Sequence, residues 1–154
     1  MRIDLPAEYH DRPIEHVGKV YAPQILGAAG IYGTAPYQHR KLTLRELEAA
    51  RYRTALINGC SACQAFRGAR DFPGMFASFD GDLQALVWAR GPQPDEEFYE
   101  HILDAAWDGY SERERLAILL AEGMGLAPQE IAHDEAFWER AKAVFSDEEL
   151  VDMT

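Results

Sequence analysis

Cys60 and Cys63 are the only thiols in this chain of 154 residues. Three residues apart, they share one face of the first turn of a helix, where a dithiol opens and closes as a disulfide with little backbone movement. Asn58-Gly59 should close a helix that starts at Thr43, because glycine accepts the left-handed conformation of a helix end. Ser61 with Gln64 has the form of a capping box for the next helix. That reading puts Cys60 just before the helix and Cys63 at its second position, where unpaired amides and the helix dipole favour a thiolate. Folding the hairpin about residue 58 brings Glu48 beside roughly position 68, so Glu48 is expected to face Arg67. Arg67 in turn lies four residues after Cys63, and a chain Glu48–Arg67–Cys63 follows from spacing. An equally simple partner for Glu48 is Arg51, three residues along the same helix. Inert packing and metal binding are the alternatives for the thiols. Zinc needs four ligands and no second Cys pair or His-x3-His follows, so no metal and no cofactor are expected.

Charge bears on the same hairpin. The chain carries a formal net charge of −11, which argues against nucleic acid as a partner, since a phosphate backbone calls for clustered Lys and Arg. Yet from Arg40 to Arg70 seven basic residues stand against two acids, a local balance of +5, while Asp95 to Asp152 sums to −13. This basic island raises the potential around the thiols and favours a thiolate; the plainer reading, which does not exclude the first, is that the two halves pair with one another, within or between subunits.

The elements that must position these residues read as helices. Thr43 with Glu46, Ser111 with Glu114 and Ser146 with Glu149 repeat the capping-box pattern. Asp82 to Ala89 and Asp95 to Trp107 read as further helices, the latter with Phe98 and Ile102 at helical spacing. After Ser111, Leu116, Leu119, Leu120 and Met124 form an apolar face. Ala136 to Phe145 adds Phe137, Ala141, Val144 and Phe145, and Trp88, Trp107 and Trp138 are expected in the core. No segment alternates as a strand does, so the expected fold is all-α, one domain over residues 1–154 with about six to eight helices. Residues 1–17 read as an irregular arm. The helix announced by Ser146 is short enough to be marginal alone; it docks on a neighbour or belongs to a chain that continues past Thr154. Gly27-Ala28-Ala29-Gly30-Ile31-Tyr32-Gly33 lacks a strand–turn–helix frame and a following Gly-Lys-Ser/Thr. It therefore reads as a helix contact or bend, not as a phosphate loop.

The amino terminus has no apolar run of signal-peptide length, and no eighteen apolar residues occur in succession, so a soluble cytoplasmic protein without a membrane partner is expected. In a reducing cytosol a cysteine pair is seldom a structural staple, which raises a redox or metal role.

Glu48, followed twelve residues later by the first cysteine of Asn58-Gly59-Cys60-Ser61-Ala62-Cys63, resembles the signature of the alkylhydroperoxidase D branch of the carboxymuconolactone decarboxylase-like family. The Glu-Arg-Leu-Ala-Ile run after Ser111 and Phe145-Ser146-Asp147-Glu148-Glu149 are also similar to its members. The resemblance implies an all-α fold assembled as a trimer or hexamer. It also implies a cysteine pair that reduces hydroperoxides and is re-reduced by a dithiol carrier protein. In the family a histidine follows the second cysteine by four residues and relays protons between the glutamate and a thiol. Here that position is Arg67, which stays protonated and cannot serve as a general base. His39, near Tyr37, is the best placed of the five histidines (His10, His16, His39, His101, His133) to substitute.

The expected site is therefore Cys60, Cys63, Glu48 and Arg67, in a thiol peroxidase or thiol–disulfide oxidoreductase acting on a hydroperoxide or disulfide. A non-redox lyase of the decarboxylase type and a non-catalytic helical subunit are the alternatives.

Overall fold

A computed structural model describes residues 3–11, 13–76 and 91–153. The regular structure among them is entirely helical: a 3-10 turn at Ala7–Tyr9 and ten helices, with no strand. They are α1 (Pro13–Tyr21), α2 (Pro23–His39), α3 (Leu44–Ile57), α4 (Ser61–Ala65), α5 (Gly68–Phe76), α6 (Glu96–Glu100), α7 (Glu112–Leu126), α8 (Pro128–Ala132), α9 (Glu135–Val144) and α10 (Asp147–Met153). The count exceeds the expected six to eight because α4, α6 and α8 are five-residue helices. By Cα proximity the chain forms two compact units, Met1–Pro36 and Tyr37–Thr154.

In the first unit the arm read as irregular to residue 17 is already helical from Pro13. A proline at a first helical position gives up an amide that would be unpaired anyway. The Gly27–Gly33 stretch lies inside α2, and a Cβ built at Gly27, Gly30 or Gly33 meets nothing within 4 Å.

The second unit is organised on α3 and α7. Thr43 and Ser111 cap them, each with the full reciprocal box to Glu46 and Glu114. The pairs Arg45–Glu114 and Arg53–Glu122 advance in the same direction on both helices, so α3 and α7 run parallel. Parallel neighbours need a connection that returns over the length of the first helix, about 21 Å for fourteen residues. That return carries α4, with the cysteines, and α5. The parallel dipoles also place two positive helix ends side by side, and the buried capping glutamates Glu46 and Glu114 answer both. Each accepts a second time from the other helix, Glu114 from Arg45 and Glu46 from Arg113, so the two caps are cross-braced.

Leu116, Ala117 and Leu120 of α7 pack with Ala49 and Ala50 of α3, Phe98, Ile102, Phe137, Ala141 and Phe145 in the main core. Trp107 and Trp138 flank it, half-buried. Met124 does not belong to the apolar face assigned to it; it is exposed. The helix expected from Asp95 to Trp107 ends at Glu100. Asp104 accepts the Ala106 amide with its side chain at 3.1 Å, which gives the backbone a turn to adopt instead of another helical bond. Trp107 then lies over Gly109, where a Cβ would come within 2.1 Å of the indole. Trp88 and the helix read at Asp82–Ala89 lie outside the described residues.

Helix α10 docks, with Leu150 and Met153 buried in the main core. Arg113 ties it down by donating to Glu149 Oε1 at 2.7 Å and to the Val144 carbonyl. That hydrogen bond from Arg113 holds the Glu149 carboxyl at about 2, below an ordinary 4.5. A carboxyl depressed in the folded state stabilises the fold fully above its unfolded value, and the contribution is lost as pH falls from about 4.5 through about 2. Thermal unfolding between pH 6 and pH 3 should therefore show a loss to which Glu149 contributes on the order of 1–2 kcal/mol. Glu149→Gln is expected to be less stable at pH 6 and to flatten the slope. An unchanged slope in that variant would remove Glu149 from the account.

Candidate functional site

The turn from α3 into α4 is built by backbone bonds that reuse the last carbonyls of α3. Asn58 N donates to Thr54 O at 3.0 Å, Gly59 N to Leu56 O at 3.2 Å, and Cys60 N to Ala55 O at 3.1 Å. Gly59 takes φ +62°, the left-handed value the closing glycine was expected to supply. The cap of α4 differs from expectation. Cys60 itself is the N-cap, and its Sγ accepts the Cys63 amide at 3.3 Å. Ser61 sits at the first helical position, and Gln64 donates its side-chain amide to Ala55 O at 3.2 Å instead of completing a box. Cys60 and Cys63 are joined, with Sγ–Sγ 2.12 Å and Cα–Cα 5.3 Å. Cys63 is exposed and Cys60 is half-buried.

Glu48 lies opposite residue 68 as the hairpin geometry requires, but it meets the Gly68 backbone and not Arg67. Its carboxylate is fully buried and accepts five hydrogen bonds. Oε1 takes Tyr37 Oη at 2.8 Å and Arg51 Nε at 2.6 Å. Oε2 takes Tyr99 Oη at 2.7 Å, Arg51 Nη2 at 2.8 Å and Gly68 N at 3.1 Å. A Cβ at position 68 would stand 3.0 Å from this carboxylate, so glycine lets α5 begin so close. Burial, and then the neighbouring Glu48 charge, push the Tyr37 and Tyr99 phenols well above their ordinary range, so both remain donors.

The Glu48–Arg67–Cys63 chain is thus not formed. Arg51, adjacent on α3, already fills the carboxylate with a two-pronged pair that needs no loop to fold. Arg67 is drawn elsewhere: its guanidinium lies 4.1 Å over the Tyr99 ring and 5.0 Å over that of Tyr52, and it pairs with Glu96 at 3.1 Å. Tyr99 is the hinge between the two groups, with its hydroxyl on Glu48 and its ring face under Arg67.

Arg67 joins Arg51 and Arg70 in a different task. A helix leaves its last carbonyls without amide partners, and in α4 all of them are taken by arginines. Arg51 Nη1 donates to Cys63 O at 2.7 Å, Arg67 Nη1 to Gln64 O, and Arg70 Nη2 to Ala65 O at 2.7 Å. Phe66 O receives Arg51 Nη2 at 3.0 Å and Arg67 Nη1 at 3.2 Å. Each guanidinium is anchored behind by a carboxylate: Arg51 by Glu48, Arg67 by Glu96, Arg70 by Asp71.

The basic island is therefore paired within the chain. Besides these three, Lys41 bonds Glu148, Arg45 bonds Glu114 and Arg53 bonds Glu122. Four of these pairs, Lys41–Glu148, Arg45–Glu114, Arg53–Glu122 and Arg67–Glu96, join the basic stretch to the acidic one, while Arg51 and Arg70 find their carboxylates nearby in sequence. His39 is exposed at the end of α2, and its neighbour Tyr37 is the residue that reaches Glu48. His101 stacks on Trp107 at 4.5 Å, and His16 lies against Tyr9.

Among the described residues no group of three or more His, Cys, Asp and Glu side chains converges as a metal site would require. No helix among them is long and apolar enough to cross a membrane. Tyr99 and Arg70 carried no signal in the sequence, because their partners are distant or are backbone carbonyls; the Arg51 role was legible as an i,i+3 pair. No family model, curated protein or solved structure matches the chain.

Proposed function

We propose that this protein is a thiol–disulfide oxidoreductase of the alkylhydroperoxidase D type, working through Cys60 and Cys63. The observation that carries the reading is the pair itself: two thiols within bonding distance at the start of α4, with Cys63 exposed and the Cys60 sulfur accepting a backbone amide. A hydrogen bond donated to a sulfur favours its thiolate. In the reducing direction one thiolate attacks a substrate disulfide and forms a mixed disulfide, releasing one substrate thiolate. The second cysteine attacks the mixed disulfide, closes Cys60–Cys63 and releases the other. Two electrons pass to the substrate, and a dithiol carrier returns them.

A disulfide substrate is preferred over a hydroperoxide for a specific reason. Peroxide reduction calls for a proton at the departing oxygen, and no relay to it is in place: Glu48 accepts from five donors, and Arg67, which holds its proton, is clamped between Glu96 and two rings. A homo-oligomer, trimer or hexamer, belongs to the same reading.

The reduced protein should close Cys60–Cys63 when offered a small aliphatic disulfide and reopen it with dithiothreitol, followed by alkylation and mass spectrometry. Closure with an alkyl hydroperoxide should be at least tenfold slower. Cys60→Ser and Cys63→Ser should each abolish turnover. Turnover that survives in the double serine variant would instead support a non-redox lyase, and a pair that neither oxidant closes would support a structural subunit.

A further inference from the structure

We infer that Arg51, Arg67 and Arg70 are positioning residues for the cysteine pair: together they hold the C-terminal carbonyls of α4 and thereby fix the distance at which Cys60 and Cys63 meet. This rests on the pair being redox-active. Helix α4 has five residues, far too few to persist by its own hydrogen bonds. Gln64 N bonds Cys60 O at 2.9 Å and Phe66 N bonds Ala62 O at 3.1 Å. The Arg67 amide that would continue the ladder donates to Asp71 Oδ2 at 2.8 Å instead. The carbonyls of Cys63, Gln64, Ala65 and Phe66 are consequently held from outside the helix, by the three guanidiniums.

Arg51 matters most, because it alone grips the carbonyl of a cysteine and is itself seated on a fully buried carboxylate. A planar guanidinium can reach Glu48, Cys63 O and Phe66 O at once; an ammonium of the same charge has no fixed fork to do so. Loosening this collar lets the two thiols drift apart in the reduced state and lowers their effective concentration toward each other. Closing the pair then becomes less favourable. In the balanced equilibrium, the closed pair plus reduced dithiothreitol gives the open dithiol plus cyclic oxidised dithiothreitol, with two electrons and two protons moving to the protein.

The test measures that equilibrium for the full chain in dithiothreitol redox buffers, scored by alkylation. Arg51→Lys and Arg51→Met should both shift it at least tenfold toward the open dithiol. Arg70→Gln, at an exposed side chain whose loss leaves the core intact, should shift it about threefold in the same direction, which keeps the inference testable if the Arg51 variants do not fold. Equilibria within a factor of two of the parent in Arg70→Gln and in any folded Arg51 variant would overturn the positioning role. Restoration by lysine would likewise overturn it, by showing that charge and not geometry is at work. A parent protein whose pair does not exchange with dithiothreitol at all would defeat the redox reading itself, before any variant is compared.

Discussion

Glu48→Ala is expected to lower the free energy of unfolding by about 3–5 kcal/mol, the range found when one partner is removed from a buried ion pair. The carboxylate is wholly enclosed and accepts from Tyr37, Tyr99, Arg51 and the Gly68 amide. Without it the two phenols and the amide have no acceptor, and the Arg51 charge keeps only its carbonyl partners. Against a total stability that for most domains lies near 5–15 kcal/mol, this is a substantial share. Glu48→Gln keeps the volume and loses the charge, and its amide nitrogen turns a donor toward donors, so about 2–3 kcal/mol is expected. Urea midpoints at pH 7 measure both. A loss below about 1 kcal/mol for the alanine variant, the ordinary range for surface changes, would mean that the network is not what holds α3, α5 and the segment carrying Tyr99 together.

The second large effect is expected at Arg113. Its guanidinium donates to Glu46 at 2.6 and 3.2 Å, to Glu149 at 2.7 Å and to the Val144 carbonyl, and it lies 4.1 Å over the Phe145 ring. Arg113→Ala leaves Glu46 buried with only its capping partner and releases α10. A loss of about 2–4 kcal/mol follows from the unpaired acid and the broken bonds to charged groups. Arg140→Ala removes an exposed pair with Glu112 and should cost no more than about 1 kcal/mol. Equal losses in the two variants would show that the cross-brace carries no special weight. Hydrogen exchange adds a local readout, because the amides of Leu150 to Met153 should lose protection in Arg113→Ala while those of α3 keep theirs.

The helices and their capped starts were readable because a capping box is a local pattern whose partners lie three residues apart. Thr43, Ser111 and Ser146 all make the reciprocal bonds their sequence announces. Ser61 has the same form, yet the helix is capped one residue earlier: the Cys60 sulfur accepts the Cys63 amide, and the Gln64 amide that Ser61 would have taken goes to the Cys60 carbonyl. That competition is invisible to a pattern that looks only for oxygen. The hairpin register was readable too, since Glu48 does meet residue 68, but side-chain direction there was not. Arg67 turns toward Tyr99 and Glu96, residues some thirty positions away in sequence. The same distance hid Tyr99 as a partner of Glu48. The helix read beyond Glu100 is cut short for a local reason, the Asp104 side chain taking the Ala106 amide and Trp107 lying over Gly109.

The cross-brace between α3 and α7 has a symmetry of its own. Each helix contributes a capping hydroxyl, an arginine two positions later and a glutamate one after that, and each arginine serves the other helix's glutamate. Such a contact is isologous, the kind two identical subunits make across a two-fold axis, here closed within one chain. An isologous contact does not distinguish an α7 supplied by its own polypeptide from one supplied by a second copy. Here both halves of the brace belong to one chain, and the stretch that joins them, residues 58 to 111, is the same one that carries the thiols.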